Sequence, residues 1–136
     1  MRLLVLTQKV DSDDDVLGFF HDWIMEFSRI CESVIVICLQ RGDYKLPQNV
    51  KVFSLGKEKS VSKLKYVLEF YKYIWQERKK YDAVFVHMNS EYAVLGGWLW
   101  RILNKKVILW FVHKSIPWHL VVGEKFVNKI LTVSFN

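Results

Sequence analysis

The stretch DAVFVHMNSEYAVLGGWLWRILNKKVILWFV, residues 82–112, contains a strand, a helix and a second strand. Its ends, DAVFVH (82–87) and KVILWFV (106–112), are continuous apolar runs, which are typical of strands buried on both faces. Between them, Asn89-Ser90 can cap a helix that ends near Asn104, a residue that tolerates the left-handed conformation. This order predicts a parallel β-α-β unit.

The same apolar pattern recurs in RLLVLT (2–7), SVIVICL (33–39), VKVFSL (50–55) and KILTVS (129–134). Segments with helical spacing separate most of these runs. One face of a first helix comprises Val16, Phe20, Trp23 and Phe27. One face of a second helix comprises Val61, Leu64, Leu68, Tyr71 and Trp75.

The order of elements is therefore β-α-β-β-α-β-α-β-α-β, with a turn at RGDYKLPQN between the second and third strands. We predict a single Rossmann-like, three-layer α/β/α domain over residues 1–136. Its six-stranded parallel sheet should have the strand order 3-2-1-4-5-6. In such sheets, ligands bind beyond the carboxyl ends of the strands, near the switch between strands 1 and 4.

Composition points to a packed, cytoplasmic domain. The chain is 51% apolar, and its two cysteines, Cys31 and Cys38, lack metal-ligand spacing, so we expect buried free thiols in a reducing compartment. The first apolar run is too short for a signal peptide, and charges at Arg101, Lys105 and Lys106 interrupt the longest one. Because no helix follows the last strand, we interpret the chain as a domain of a longer protein or one that packs on a partner.

Polar residues at the strand ends are the candidates for a binding site. NAD and P-loop nucleotide sites are disfavoured, because neither GxGxxG nor a Walker A loop is present. Topology alone brings the following residues to one crevice: Gln8, Lys9 and Asp15 after strand 1, His87, Asn89 and Glu91 after strand 4, and His113, Lys114, Trp118 and His119 after strand 5. His87, His113 and His119 lack a diagnostic spacing or a matching carboxylate or thiolate, so we expect no metal.

His113 is the most suggestive single residue. A histidine that leaves a central strand can bind a sugar hydroxyl or a developing charge. The alternative is a structural hydrogen bond to a neighbouring loop. Gly96 and Gly97 suggest close approach of their helix to the sheet, with Trp98 and Trp100 as packing residues. Trp110 and Trp118 are better placed for stacking on a ligand, although burial in the core is the default expectation for both.

The acidic stretch DSDDD (11–15) is interpreted mainly as a helix start. Asp11 or Ser12 would cap the helix, and the later acids would lie in its first turn, where carboxylates favour the helix dipole. A metal or phosphoryl site is the less favoured alternative.

Residues 57–81 hold eight basic and three acidic residues, which accounts for +5 of the net charge of +6. The lysines of this segment can form a solvated face. Alternatively, Lys59, Lys63, Lys65 and Lys72 approach an anionic membrane, with the neighbouring aromatic residues at the interface. Nucleic acid is the least favoured partner, because the rest of the chain is nearly neutral.

Together, DSDDDVLGFFHDWIMEFSR, DAVFVHMNSEYAVLGGWLWR, KKVILWFVHKS and KILTVSFN resemble the N-terminal domain of family 4 (group 1) glycosyltransferases of the GT-B fold, over essentially the whole chain. The resemblance implies a two-domain enzyme in which this half receives the acceptor and an absent C-terminal half holds the nucleotide-sugar. It also implies transfer with retention, without a metal or other cofactor, and an isolated chain that is inactive.

By position, His113 matches the family's histidine near the transferred sugar. Gly18 matches the glycine-containing loop near the donor phosphates and the acceptor, and the basic helix matches a region that touches membranes in some relatives. The first loop departs from the family, because it lacks a Gly-Gly pair and carries acids that repel phosphates.

Two other classes of protein compete with the glycosyltransferase. A receiver-type signalling domain also has acids after strand 1 and a lysine, here Lys114, after strand 5. It requires a phospho-acceptor aspartate after strand 3, where this chain has Ser54-Leu55-Gly56. The second competitor is a non-catalytic interaction or membrane-surface module.

Overall fold

The computed structural model describes residues 1–13, 18–59, 62–88, 90–112 and 129–133. The strands are β1 (Arg2–Val10), β2 (Ser33–Arg41), β3 (Val50–Ser54), β4 (Ala83–His87), β5 (Lys106–Val112) and β6 (Lys129–Val133). The helices are α1 (Phe19–Ile30), α2 (Lys63–Gln76) and α3 (Ser90–Ile102), with a 3-10 turn at Lys57–Lys59. All six predicted strands are present, whereas the helix predicted between strands 5 and 6 lies outside the described residues.

The sheet has the predicted order, β3-β2-β1-β4-β5-β6, and every neighbouring pair is parallel. β1 is central, where Leu4 is in register with Ile35 on one side and with Val84 on the other. The Rossmann-like α/β class is therefore confirmed.

Side chains alternate between the two faces of the sheet and form two separate cores. On one face, α2 and α3 cover a core that includes Leu4, Leu6, Ile35, Val84, Val86, Phe70, Ile74 and Trp100. On the other face, α1 covers a core that includes Val5, Val36, Phe85, Phe20 and Ile24. Because the strands are buried on both faces, their sequences are continuously apolar, as the sequence pattern indicated.

α1 begins later than predicted. Its first residue is Phe19 and its N-cap residue is Gly18, and none of the side chains in the described ranges caps it. The proposed capping by Asp11 or Ser12 is therefore wrong, and Asp13 lies in a turn before the helix rather than in its first turn.

Asp11 has a local structural role instead. Its carboxylate accepts a hydrogen bond from the backbone N–H of Asp13 at 2.9 Å, which forms an Asx turn, and lies 3.7 Å from Lys9 Nζ. The carboxylate rests against Gly42, where a Cβ atom would lie 2.3 Å from Asp11 Oδ2. An aspartate before a helix can accept a backbone N–H either in an Asx turn or as the N-cap of the helix. The sequence does not distinguish these two roles.

On α2, the apolar residues named from the sequence mostly face outward. Phe70 and Ile74 are buried against the sheet, whereas Leu64, Leu68 and Trp75 are 69%, 61% and 51% exposed. The two apolar stripes lie about a third of a turn apart on a helix of roughly 3.6 residues per turn. α2 therefore has an inner apolar stripe and a second one on its surface.

Asn104 determines how α3 ends, and Gly96 allows close packing within it. Asn104 has a φ of 58°, and the N–H of Lys105 donates to the carbonyl of Trp100 at 2.8 Å, which is the hydrogen bond of a left-handed helix end. Gly96 is needed for space, because a Cβ there would lie 2.6 Å from the ring of Trp100. The glycine therefore accommodates a side chain of its own helix, which is fully buried as predicted.

The connection from β2 to β3 is a crossover rather than a tight turn, since the two strands are parallel. Tyr44 and Leu46 pack on the α1 side of the sheet. The backbone N–H of Lys45 donates to His21 Nε2 at 3.1 Å. This loop therefore takes the place of a helix between these strands.

Cys31 and Cys38 are buried thiols that form no disulfide bond, as predicted. Among the residues that the structure describes, no helix is both long and apolar enough to cross a bilayer.

Candidate functional site

The carboxyl ends of β1 and β4 lie side by side at the centre of the sheet. From β1 the chain proceeds to α1 on one face, and from β4 it proceeds to α3 on the other face. This is the topological switch point at which doubly wound sheets open a crevice for ligands.

Met88 marks the switch point with unusual backbone geometry. Its φ of 66° lies in the left-handed region, which side chains of this kind rarely adopt and which costs on the order of 1–3 kcal/mol. Its N–H donates to the carbonyl of Trp110 at 2.8 Å, and its carbonyl accepts from the N–H of Ser90 at 3.1 Å. Sequence reasoning missed this residue, because a methionine gives no signal of a positive φ.

A pocket of about 410 Å³ opens beside the switch point, between α2 and α3 and above the ends of β1, β2 and β3. Its lining residues are Gln8, Leu39, Leu55, Lys63, Tyr66, Val67, Phe70, Glu91, Tyr92 and Leu95. The volume falls within the range of about 300–1,000 Å³ that is typical of small-molecule sites.

Polar groups occupy the outer part of this pocket, since Gln8, Lys63 and Glu91 are exposed. Tyr92 is buried in the wall, and this burial, with smaller effects of Cys38 and Glu91, raises the pKa of its hydroxyl, which stays protonated at neutral pH. Amide, carboxylate and ammonium groups at one end of an apolar pocket can orient the hydroxyls of a ligand. Gln8 and Glu91 both line this pocket, although Gln8 lies within β1 rather than after it, because β1 extends to Val10.

His87 lies on the α1 side of the sheet and is only 1% exposed. Its ring stacks on Phe20 at 3.8 Å between centroids and on Trp110 at 5.2 Å. Its Nδ1 lies 3.0 Å from the hydroxyl oxygen of Thr7. Burial lowers the pKa of His87 to about 4, so the ring is neutral at pH 7.

These contacts make His87 a packing residue beneath the crevice, and its contact with an acceptor stays a prediction. Trp110, named from the sequence as a stacking platform, stacks on this histidine and packs edge-on against Trp23 at 5.1 Å.

Lys9 lies near the carboxyl end of β1, and Gly18 directly precedes α1. Lys9 pairs with Asp11, so part of its charge is balanced within the chain. Gly18 has helical backbone angles, with φ −59° and ψ −31°, and its conformation therefore does not require glycine.

Several site predictions cannot be placed. Asp15, Asn89, His113, Lys114, Trp118 and His119 all lie outside the described residues. Within the described part of the chain, no group of three or more histidine, cysteine, aspartate or glutamate side chains is arranged to hold a metal ion.

A second surface feature adjoins the pocket. We define the α2–α3 patch as Leu64, Leu68, Trp75, Trp98 and Ile102, which are five of the seven large apolar side chains that the described residues expose. The indole N–H of Trp98 donates to the hydroxyl of Tyr71 at 3.3 Å, which joins the two helices across this patch.

Basic residues lie beside the part of the patch that α2 forms. All four lysines named from the sequence, Lys59, Lys63, Lys65 and Lys72, are exposed. Lys65 and Lys72 lie along the outer edge of the stripe on α2, since they fall within about a quarter turn of Leu68. Lys72 also pairs with Glu69 at 3.7 Å. An apolar patch bordered by cations is a feature of surfaces that bind a partner or a membrane.

No protein-family model matches the chain, and no curated protein matches it. The solved structures that are similar to it include the following two. One is the HepE protein of Anabaena in complex with UDP, with a TM-score of 0.61, 16% identity, and coverage of 96% of this chain and 37% of that one. The other is UDP-GlcNAc 2-epimerase of Methanocaldococcus jannaschii, with a TM-score of 0.56, 13% identity, and coverage of 97% and 39%.

The chain spans less than two fifths of the length of each of these proteins. At such low identity the similarity shows the fold alone. It agrees with the strand order and the Rossmann-like architecture described above.

Proposed function

We propose that this chain is the acceptor-side half of a retaining GT-B glycosyltransferase, which transfers a sugar from a nucleotide-sugar to a hydroxyl acceptor. The observation that carries the proposal is the pocket at the carboxyl edge of the sheet, with Gln8 and Glu91 at its polar end. The names of the two similar structures, which concern UDP and a UDP-sugar, support a reaction of nucleotide-sugars.

The acceptor, rather than the donor, suits this half. The chain lacks a glycine-rich phosphate loop after β1, and the Asp11 carboxylate lies at that position instead. A carboxylate repels the phosphates of a nucleotide-sugar. A second Rossmann-like half, in the same polypeptide or in a partner subunit, would hold the donor.

In the proposed reaction, an acceptor hydroxyl attacks the anomeric carbon on the face from which the nucleoside diphosphate departs, so that the configuration is retained. The bond to the diphosphate breaks, and the departing phosphate oxygen takes up the hydroxyl proton. Gln8 and Glu91 would hold the acceptor, since their side-chain oxygens accept hydrogen bonds from hydroxyls. His113 would hydrogen-bond the transferred sugar, where positive charge develops. Asp15, Asn89, Lys114 and Trp118 are further candidates for contacts with the acceptor.

The proposal is tested by steady-state kinetics of the enzyme that contains both halves. Gln8→Ala and Glu91→Ala should each lower kcat/KM for the acceptor roughly 10- to 100-fold, because each removes a hydrogen bond to the substrate, and should leave KM for the donor unchanged. His113→Ala should lower kcat. Glu26→Gln, on the exposed side of α1, is the matched control. Unchanged kinetics in all three variants would contradict the proposal.

A second candidate function, favoured by the α2–α3 patch, is attachment to an anionic membrane, which would make the protein peripheral at the inner face of the membrane. Each lysine near the membrane surface adds on the order of 1 kcal/mol to such binding. The apolar side chains of the patch add more when they become buried in the membrane. The patch has both kinds of residue, including Leu64, Leu68 and Lys65.

Co-sedimentation with phosphatidylglycerol vesicles tests the attachment. The double variant Leu64→Ser/Leu68→Ser should lower partitioning at least tenfold, and added salt should lower it in the wild type. Ile30→Ser is the control, because Ile30 is also exposed, at 77%, but lies on α1. Equal binding by all three proteins at every salt concentration would leave the lysines as a solvated face.

A further inference from the structure

We infer that the pocket between α2 and α3 receives the hydrocarbon chain of an amphiphilic acceptor, whose polar head lies at the Gln8 and Glu91 end. The role of this ligand as an acceptor rests on the function proposed above. The binding of an apolar chain rests on the pocket itself.

The inner wall of the pocket is apolar. Leu55 and Phe70 are 2% and 1% exposed, and Leu39, Val67 and Leu95 are half-buried beside them. Water in such a space has few hydrogen-bonding partners, and its replacement by methylene groups is favourable. A polyhydroxylated ligand without an apolar part would leave most of this wall without a suitable contact.

The polarity changes along the pocket in the sense that an amphiphile requires. The exposed lining residues are Gln8, Lys63 and Glu91, whereas the buried ones are apolar or aromatic. Lys63 supplies a cation for an anionic group between the polar head and the hydrocarbon chain of the ligand. The side-chain oxygens of Gln8 and Glu91 can accept hydrogen bonds from hydroxyl groups of the head.

One residue that lines the pocket is adjacent in sequence to a residue of the α2–α3 patch. Lys63 both lines the pocket and begins α2, and the next residue, Leu64, is part of the patch. The start of α2 therefore contributes residues to both the pocket and the patch. This shared helix start favours a ligand held at a lipid surface by an alkyl or prenyl chain over an isolated apolar molecule.

The test is an isothermal titration calorimetry experiment on the 136-residue chain. The ligands are methyl, hexyl and octyl β-D-glucoside, each below its critical micelle concentration. Affinity should rise with chain length by up to about fourfold for each added methylene until the pocket is filled. Val67→Trp and Leu95→Trp, which fill the pocket from α2 and from α3, should abolish the gain. Ile30→Trp, at an exposed position on α1 away from the pocket and the patch, is the control and should retain it.

Thermal melting identifies any tryptophan variant that fails to fold, and the two pocket variants on different helices provide independent readings. Equal affinity for the three glucosides, or a gain that survives both folded pocket variants, would overturn the inference. If sugar transfer is intact but affinity does not depend on chain length, the inference is wrong. The proposed function then stands, with an acceptor that has no hydrocarbon chain. Chain binding without any transfer by the enzyme with both halves would contradict the proposed function and retain the pocket assignment.

Discussion

Acid should destabilise this protein through His87. The ring is 1% exposed among Phe20, Trp110 and Thr7, and burial lowers its pKa from 6.5 to about 4. In the unfolded chain the same ring binds a proton near pH 6.5. Between these two values the unfolded state therefore binds more protons than the folded state, and the free energy of unfolding falls as the pH falls.

The size of the effect follows from the shift. A difference of about 2.5 pKa units, at about 1.36 kcal/mol per unit, gives a loss of roughly 3 kcal/mol once the pH reaches about 4. The loss begins near pH 6.5 and is absent above it. A contribution of this size is a large share of the 5–15 kcal/mol that is typical of small domains.

The assay is urea denaturation at a series of pH values from 7.5 to 4, for the wild type and for His87→Gln. Glutamine can still hydrogen-bond to Thr7 but does not titrate, and the other titratable groups are common to both proteins. The wild type should lose roughly 3 kcal/mol more than the variant over this range. A stability difference between the two proteins that stays constant with pH would refute the role assigned to the buried ring.

Two further predictions concern α3. Gly96→Ala should destabilise the protein by about 1–3 kcal/mol in urea denaturation, because the new Cβ would lie 2.6 Å from Trp100, whose indole N–H is held by Tyr81 at 3.1 Å. A more stable variant would show that the gain in helix propensity exceeds the clash. Asn104→Ala should lower the melting temperature by the equivalent of about 1 kcal/mol and Asn104→Gly should not, because the φ of 58° favours glycine. Equal losses in both variants would contradict the left-handed helix end.

The strands could be predicted because they lie in the interior of a sheet that is covered on both faces. Runs such as Ser33–Arg41 are apolar on both faces, and only the interior of a doubly covered sheet buries both. Helices between successive strands then dictate a parallel sheet, and these rules were enough for the order of all six strands.

The orientation of α2 could not be predicted in the same way. The chain repeats apolar residues at helical spacing in two stripes, one through Phe70 and Ile74 and the other through Leu64 and Leu68. Periodicity detects each stripe but does not tell which one meets the sheet. Packing decides this, and the stripe that remained outside became the main feature of the α2–α3 patch.

The position of the pocket at the carboxyl edge of the sheet could be predicted from the topology, but its apolar character could not. Gln8 lies near the end of β1 and Glu91 in the first turn of α3, so both come close to strand ends. The apolar pocket behind them depends on how Phe70 and Leu95 approach each other across two helices, and no local pattern encodes that distance. The left-handed Met88 gives no sequence signal either, because its geometry is imposed by hydrogen bonds to other elements.

The most direct test of the proposed division of labour is a nucleotide-sugar titration of the 136-residue chain beside the enzyme that contains both halves. We predict saturable binding by the enzyme with both halves and none by the isolated chain at the same concentrations. Equal binding of the nucleotide-sugar by the isolated chain would contradict the assignment of this domain to the acceptor.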